Sequence, residues 1–280
     1  MTILRRRLGF LGCLAAAAGL AACVPVADEQ GDAPPTITAV RADGQPFELL
    51  DAGAAELESM HFKVRAYGQD AVKSVSEQAE QTYTRIMSDT NLYSFQQRSL
   101  YQIVVYASHE EYRRKTGQPE WSGGCSLGNS IYTFGGAQLQ TTIAHEMTHL
   151  IWFEYMGRAD MDQRWVNEGL AVYEETKAAG NSRIDPFVLA RATLRTTPLP
   201  VDQMIHLVPA TERERTVTLW YAQAESIVQF MIERGGRMGF SAFLGALKDG
   251  RAVDDAVRSS FVGTWSSLAD VVQAWQRSLQ

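Results

Sequence analysis

Cysteine is scarce in this chain of 280 residues, which contains only three. Cys13 lies within an N-terminal segment that has the features of a cleaved signal, and Cys23 stands at the end of that segment. Only Cys125 remains for the folded body, so an intramolecular disulfide is excluded even in an oxidising compartment. No cation adjoins Cys125 in the sequence that would lower the pKa of its thiol, and we expect it to be a small packed residue.

An excess of positive charge is also absent. The formal net charge is −6, and removal of residues 1–22, which contain three arginines and no acidic residue, changes it to −9. An acidic surface offers no electrostatic basis for binding nucleic acid or anionic lipid. We therefore predict no nucleic-acid partner. The sequence predicts no particular oligomeric state.

The longest apolar run, Leu8 to Ala22, is too short to span a membrane comfortably. It follows Arg5-Arg6-Arg7, and a positive segment before an apolar run is the pattern of a targeting sequence. Leu20-Ala21-Ala22-Cys23 resembles the lipobox of bacterial lipoproteins, so residues 1–22 are predicted to be a lipoprotein signal peptide and Cys23 the lipidation site. An ordinary secretory signal, cleaved after a small residue, is the alternative.

Lipidation of Cys23 predicts attachment to a membrane through acyl chains rather than through the acidic surface. Val24 follows it, in place of the aspartate that resembles an inner-membrane retention signal, and this indicates outer-membrane sorting. We therefore expect a lipid-anchored protein of the bacterial cell envelope that faces the periplasm. Residues 23–45 contain three prolines and few large apolar groups, and they are predicted to form a tether.

The most informative motif is His145-Glu146-Met147-Thr148-His149, which has the form H-E-x-x-H. Residues four apart lie on one face of a helix, so His145 and His149 point the same way and suit one metal ion. Glu146, next to the first ligand, is placed to act on a water at that metal. The segment from Gln138 to Tyr155 lacks glycine and proline and carries apolar residues at helical spacing, which predicts a helix. A helix with two surface histidines is the alternative.

A second motif supplies a third ligand. Eighteen residues separate His149 from Glu168, which lies in Asn167-Glu168-Gly169 inside a predicted helix from Trp165 to Ala178. Two helices joined by a short loop would bring Glu168 beside the histidines, and the glycine after it would let them pack closely. Two histidines and one glutamate leave a fourth position for water, which is typical of a catalytic zinc site. The sequence therefore predicts one Zn2+ bound by His145, His149 and Glu168.

H-E-x-x-H followed at this separation by a glutamate within N-E-G-x-A resembles the gluzincins, which include the aminopeptidase N family and the clan of thermolysin. The likeness is clearest from Ile131 to Glu175, and the layout is most similar to the small peptidase-MA-like gluzincins. It implies an α+β fold with a thermolysin-like zincin lobe over residues 46–180, which has a small mixed sheet and two active-site helices. An all-helical lobe over residues 181–280 would complete the cleft.

Apolar periodicity predicts the secondary structure around these motifs. Strands are predicted at Phe62–Tyr67, Tyr101–Tyr106 and Ser130–Phe134. Further helices are predicted at Asp70–Met87, Glu110–Thr116, Pro186–Leu194, Thr218–Arg234, Phe240–Lys248, Val253–Ser260 and Ser267–Ser278. By the resemblance, Ser130–Phe134 is the edge strand along the cleft that pairs with an extended substrate, and the glycines between residues 123 and 128 keep its approach open.

These features predict a zinc-dependent peptidase in which Glu146 is the general base. Aminopeptidase N relatives carry an upstream G-x-M-E-N segment whose glutamate holds the amino group of the substrate. The corresponding stretch here, residues 123–132, reads G-G-C-S-L-G-N-S-I-Y and contains no such segment. We therefore predict an endopeptidase that acts on a peptide or protein substrate. The alternative is a non-catalytic envelope lipoprotein that uses the gluzincin fold as a binding or assembly module.

A donor for the oxyanion of the tetrahedral intermediate is also expected. Tyr221, in Trp220-Tyr221-Ala222-Gln223 near the start of a long helix, resembles a tyrosine placed there in related gluzincins and is predicted to be catalytic. A tyrosine that simply packs in the helical lobe is the alternative. His206 is a second candidate for the donor.

Carboxylates commonly orient the histidines that bind a metal. Glu175 lies on the same helix face as Glu168 and is predicted to have this role. His61 and His109 belong to no motif, and we expect them to be ordinary polar residues.

Overall fold

The computed structural model describes residue 41 and residues 45–180, 188–208 and 214–280. The predicted signal peptide, the lipidation site Cys23 and most of the predicted tether lie outside the described residues. The described part of the chain has the predicted mixed α+β fold, with a five-stranded sheet followed by a helical C-terminal part. No helix in the described ranges is long and apolar enough to cross a bilayer.

The sheet has the strand order β1-β2-β3-β5-β4. Its strands are β1 (Ala54–Glu58), β2 (Phe62–Tyr67), β3 (Tyr101–Tyr106), β4 (Gly124–Leu127) and β5 (Ser130–Phe134). The central strands β2, β3 and β5 are parallel, while β1 and β4 pair antiparallel at the two edges. The three strands predicted from alternation are confirmed with their bounds. The edge strands β1 and β4 were not predicted.

Strand β5 is an interior strand, so the prediction that Ser130–Phe134 forms the edge of the cleft is wrong. Ile131 pairs with Ile103 of β3 on one side and with Ser126 of β4 on the other. The chain reverses in the two-residue turn after Leu127, where Gly128 adopts a φ of 61° that favours glycine. The glycine-rich segment therefore folds back onto β5 and itself becomes the edge strand.

Helices cover both faces of the sheet. Helices α1 (Gln69–Thr90) and α3 (Leu139–Met156) pack on one face, and the shorter α2 (His109–Thr116) packs on the other. Strand alternation explains the two layers, because successive side chains point to opposite faces. Val105 of β3 belongs to the main core with α1 and α3, whereas Val104 belongs to a smaller cluster with α2.

The C-terminal part is helical, as predicted. After α4 (Arg164–Ala179) it contains α5 (Val188–Leu194), α6 (Val201–His206), α7 (Glu214–Lys248), α8 (Val253–Ser260) and α9 (Leu268–Ser278). The first two residues of the predicted helix Pro186–Leu194 lie outside the described residues. The predicted helices Thr218–Arg234 and Phe240–Lys248 are the two parts of α7, which is broken at Gly236, where φ is 79°.

The break in α7 is tied to a close contact with Phe261, which follows α8. A Cβ atom on Gly235 would lie 2.4 Å from the Phe261 ring, and one on Gly239 would lie 2.9 Å from it. The two glycines therefore provide the space that the ring occupies. One buried apolar cluster continues from the sheet and α3 through α4 into α7, α8 and α9. This shared core fixes the helical part against the helices that carry the metal-ligand motifs.

Candidate metal centre

His145 and His149 lie one turn apart on α3, on the same face of the helix. Both side chains are buried, and their Nε2 atoms are 3.2 Å apart. Two imidazole nitrogens that converge at this distance in a buried position can share one cation. The predicted convergence of the two histidines is confirmed.

Glu168 lies on α4 and completes the group. Its Oε2 atom is 3.9 Å from Nε2 of His145 and 3.6 Å from Nε2 of His149. One ligand atom from each of the three residues lies within 4.8 Å of the others, so the group could hold a metal ion. The Glu168 Oε2 atom is buried and accepts no hydrogen bond from the described residues. A buried carboxylate oxygen in this condition is costly unless a cation is present.

Two further residues of α4 fix the orientation of the imidazoles. The Nδ1 atom of His145 is 3.1 Å from Oε2 of Glu175, and Nδ1 of His149 is 3.0 Å from Oδ1 of Asn167. An Nδ1–H group that donates to these oxygens leaves the Nε2 lone pair directed at the centre of the group. Glu175, which the sequence placed on the face of Glu168, thus has His145 as its partner. The role of Asn167 was missed, although Asn167 stands directly before the ligand Glu168 in the motif.

The pKa values of the group reflect its burial. Burial lowers the pKa of His145, but the hydrogen bond and charge of Glu175, with the charges of Glu146 and Glu168, outweigh it and raise the pKa to about 9. Burial and the charge of His145 lower the pKa of His149 to about 3. Burial also raises the pKa of Glu168 to about 7. A bound divalent cation favours the deprotonated form of all three ligands and would remove the proton from His145 and Glu168.

The donor set fits a divalent metal ion with nitrogen and oxygen preference. Two neutral imidazoles and one carboxylate are the protein ligands of catalytic zinc sites, which keep a further position open. The buried Oε2 atom of Glu168 and the two oriented Nε2 atoms agree with that use. No second group of metal-ligating side chains occurs in the described ranges.

Glu146 is buried on α3, on the side of the helix that faces the edge strand β4. Its charge acts on Cys125 of β4, whose pKa is raised to about 12 mainly by burial and further by Glu146. The same charge adds to the burial that raises the pKa of Tyr112. Cys125 is a buried free cysteine, as expected. The charge of Glu146 also acts on His145 and Glu168, so Glu146 lies close enough to affect both the ligand group and β4.

A family comparison gives the group its context. The family model of the Peptidase MA superfamily matches residues 78–280, which include the group of His145, His149 and Glu168 and the residues around it. The chain belongs to the peptidase MA superfamily. No match was found among the curated proteins. The resemblance to the gluzincins is thereby confirmed, and membership of a peptidase superfamily supports a peptidase function.

In this peptidase MA chain, α7 packs directly against α4 beside the metal ligands. A Cβ atom on Gly169 would lie 2.6 Å from the backbone oxygen of Ala224, so only glycine permits this separation of the two helices. Tyr221 is buried on α7, one turn before Ala224, and its ring meets that of Trp220 edge-on at 4.9 Å. The structure thus brings the helix that carries Tyr221 to the ligand Glu168. The role of its hydroxyl in catalysis stays a prediction.

The remaining histidines have other surroundings. His206 is exposed on α6, where its ring nitrogens lie 3.6 Å from Asp162 and 3.3 Å from Asp202. No contact in the described part of the chain joins it to the metal ligands. His61 hydrogen bonds to a glutamate of α1 and stacks on an aromatic ring, and His109 contacts rings of α2 and β5. Both therefore pack as ordinary polar residues.

Proposed function

We propose that this protein is a zinc-dependent endopeptidase. The observation that carries the proposal is the buried group of His145, His149 and Glu168, with Glu146 adjacent to it on α3. A buried carboxylate costs stability, and a peptidase uses that carboxylate as a general base, whereas a scaffold protein gains nothing from it beside a metal-ligand set. Membership of the peptidase MA superfamily supports the reaction class.

The chemistry divides between the ion and the chain. A zinc ion held by these three side chains supplies a Lewis acid for a peptide carbonyl and lowers the pKa of water near it. Glu146 accepts a proton from the attacking water and then delivers it to the leaving amine. Glu175 and Asn167 keep the two imidazoles in the orientation that presents Nε2. Tyr221 is proposed to donate a hydrogen bond to the oxygen on which negative charge develops.

Strand β4 is proposed to hold the substrate. It pairs with β5 along one edge only, and its other edge can accept an extended peptide by strand addition. Gly124 brings this strand against α3, since a Cβ atom there would lie 2.6 Å from the side chain of Thr142. Thr142 precedes His145 by one helical turn. A peptide added to β4 would therefore run beside the metal ligands.

Endopeptidase action is proposed over aminopeptidase action. A peptidase that trims free amino termini needs a carboxylate that binds the substrate's ammonium group. Strand β4 reads Gly124-Cys125-Ser126-Leu127 and offers none. An open strand edge suits substrates whose chain continues in both directions.

The proposed location is the periplasmic side of the bacterial outer membrane, with a lipid anchor at Cys23. It rests on the lipobox-like segment that ends the apolar run. Mass spectrometry of the native N-terminus tests it, with acylated Cys23 as the first residue of the mature chain as the expected result. An unmodified residue at the mature N-terminus would contradict the anchor.

The proposed reaction is tested with the variant Glu146→Gln. This variant should keep one equivalent of zinc and lose peptide hydrolysis, because it removes the proton acceptor while leaving the ligands in place. Glu77→Gln, which changes an exposed glutamate of α1, is the matched control and should retain full turnover. The substrates are one peptide sequence with a free and with a blocked amino terminus.

Three outcomes separate the alternatives. Cleavage of both peptides at an internal bond supports an endopeptidase. Stepwise trimming of the free peptide alone would contradict that assignment. Zinc binding by the wild-type protein without cleavage of any peptide would favour a non-catalytic envelope protein.

A further inference from the structure

A cleft of about 550 Å³ lies at the far end of the helical part, between α7, the turn after α8, and α9. Its volume is within the range of small-ligand sites. Its lining includes Phe230, Arg234, Thr264, Trp265, Arg277 and Ser278. Arg234 follows Tyr221 by thirteen residues on α7, which is roughly 20 Å along a helix. The cleft is therefore separate from the metal centre.

The floor of the cleft is aromatic and fixed in place. The rings of Phe230 and Trp265 are 5.5 Å apart and inclined at 36°. Trp265 also meets Phe261 edge-on at 4.9 Å, and Phe261 is the ring that fills the space left by the glycines of α7. Because that contact holds the turn against the helix, the aromatic floor exists without a ligand.

The rim of the cleft carries uncompensated positive charge. Neither Arg234 nor Arg277 makes a hydrogen bond or an ion pair through its guanidinium with any residue in the described ranges. Glu233 also lines the cleft, but its carboxylate accepts a hydrogen bond from Gln229 at 2.8 Å. Two arginines against one glutamate give a local positive balance on a protein whose formal net charge is −6.

A second cleft of about 520 Å³ has a similar volume and also contains arginines, but its lining differs from that of the first cleft. It is lined by residues of the α7–α8 connection and α8, and it contains no aromatic side chain. Its Arg258 pairs with Asp255 at 2.8 Å, which leaves Arg251 as the one lining arginine without an ion pair in the described ranges. The combination of unpaired guanidinium groups with an aromatic floor distinguishes the first cleft.

We propose that the first cleft binds the C-terminal carboxylate of a peptide whose last residue is aromatic or branched and apolar. A guanidinium group matches a planar carboxylate through two parallel hydrogen bonds, and two of them stand at the rim. Trp265 and Phe230 receive the apolar side chain. The hydroxyl groups of Thr264 and Ser278 are available to the peptide backbone. Binding in this cleft needs no metal. That the bound peptide is a substrate or product of the metal centre is the one part that rests on the proposed function.

The test compares N-acetyl-phenylalanine with N-acetyl-phenylalaninamide, which has the same ring and lacks the negative charge. Dissociation constants for the full mature chain are measured by ligand-detected NMR titration. The acid should bind at least about tenfold more tightly than the amide, and Arg234→Gln and Arg277→Gln should each weaken the acid roughly tenfold. Circular dichroism should show both variants folded, because neither guanidinium has a partner to lose.

Two control variants locate the binding. Arg251→Gln changes an exposed arginine that lines the second cleft and should leave the affinity unchanged. His149→Ala disrupts the metal centre and should also leave it unchanged, so failure of the proposed peptidase activity does not affect the result. Equal binding of acid and amide would overturn the proposal. Binding lost in His149→Ala and kept in Arg234→Gln would assign the carboxylate to the metal. Tighter arginine-dependent binding of dodecanoate would assign the cleft to a fatty acid.

Discussion

Helix α4 carries two buried glutamates, Glu168 and Glu174, whose surroundings differ. One Glu174 oxygen accepts a hydrogen bond from Nε of Arg85 at 2.8 Å, and the same guanidinium reaches the backbone oxygen of Glu174. Each carboxylate has one buried oxygen that accepts no hydrogen bond from the described residues, but that of Glu168, Oε2, faces two imidazole nitrogens. Burial raises the pKa of both carboxyl groups to about 7. Burial therefore destabilises both carboxylates, but the groups that face them differ: a guanidinium at Glu174 and two imidazoles at Glu168.

The difference separates a structural carboxylate from a functional one. A buried charge is tolerated where it is paired, and Arg85 provides that pairing for Glu174 within the chain. Asp89 of α1 is also paired within the chain, since it accepts hydrogen bonds from Lys177 of α4 and from Arg237 of α7. Glu168 forms no ion pair with a lysine or arginine of the described residues, and the proposed zinc ion would supply its positive charge. The pairing of each carboxylate thus distinguishes Glu174, which holds α4 against α1, from Glu168, which is proposed to bind zinc.

The largest effect is expected from His149→Ala, which removes a proposed zinc ligand that α3 contributes beside Glu168 of α4. The binding free energy of zinc at a protein site is roughly 10–16 kcal/mol, which is about 3 kcal/mol for each of about four ligands. Zinc affinity should therefore fall more than about a hundredfold. Turnover should be lost with it. Zinc content after dialysis and competition with a chromophoric chelator measure the change. A full equivalent of zinc in this variant would contradict the ligand assignment.

The structural pairing of Glu174 is tested with Arg85→Ala, which removes its partner on α1. Unfolding free energy at pH 8 should fall by about 3 kcal/mol, the low end for breaking a buried pair, because Arg85 is itself 24% exposed. Zinc content should not change. Arg258→Ala, which breaks the exposed pair with Asp255, is the control and should cost less than about 1 kcal/mol. Equal losses in the two variants, measured by chemical denaturation, would remove the distinction.

The pH dependence of stability sharpens the comparison. The folded-state pKa of Glu174, about 7, lies above its ordinary value of 4.5 because of burial, although Arg85 opposes the shift. The folded protein therefore binds this proton more tightly than the unfolded chain, and stability falls as pH rises from about 4.5 through 7. Glu174→Gln should remove on the order of 2 kcal/mol of that fall. Denaturation midpoints from pH 5 to 8 measure it, with Glu77→Gln as the control. Parallel curves for wild type and Glu174→Gln would show that Glu174 does not titrate in this window.

The smallest effect is expected from Glu175→Gln, which changes the hydrogen bond to Nδ1 of His145 and leaves the ligands intact. Zinc affinity should fall by about tenfold, because the amide oxygen still accepts the bond and only the charge is lost. Glu175→Ala should cost more, since it removes the acceptor altogether. Affinities measured with the same chelator give both values. An unchanged affinity in the alanine variant would show that Glu175 does not position His145.

Much of the metal centre could be predicted because its signals are local in the sequence. His145 and His149 are one turn apart, and Glu168 lies in a second helix whose apolar periodicity is clear. Asn167 gave no comparable signal, because its contact with His149 depends on the angle at which α4 meets α3. Orientation between helices is set by packing, and periodicity within one helix does not contain it.

The strands divide in the same way. Strands β2, β3 and β5 were predicted because their apolar residues alternate or form a short run, which marks a strand with a buried face. Strand β4 has four residues and begins with Gly124, which is required by contact with Thr142 and weakens the strand pattern. Strand β1 reads A-A-E-L-E, which lacks β-branched residues, and its Glu56 pairs with Arg65 of β2. Both edge strands form by pairing with the strand that follows them in the chain, and neither has a clear apolar pattern of its own.

The contact of Gly169 with Ala224 has a mechanical consequence for the molecule. The backbones of α4 and α7 touch here with no side chain between them. A shift of α4 at Glu168 would therefore displace the segment of α7 that carries Tyr221. We therefore expect Glu168 and that segment of α7 to keep their separation when either helix moves. The first position along α7 where such motion can be absorbed is the break at Gly236. Replacement of Gly169 by alanine would thus change the separation of α4 and α7, and with it the distance between Glu168 and Tyr221.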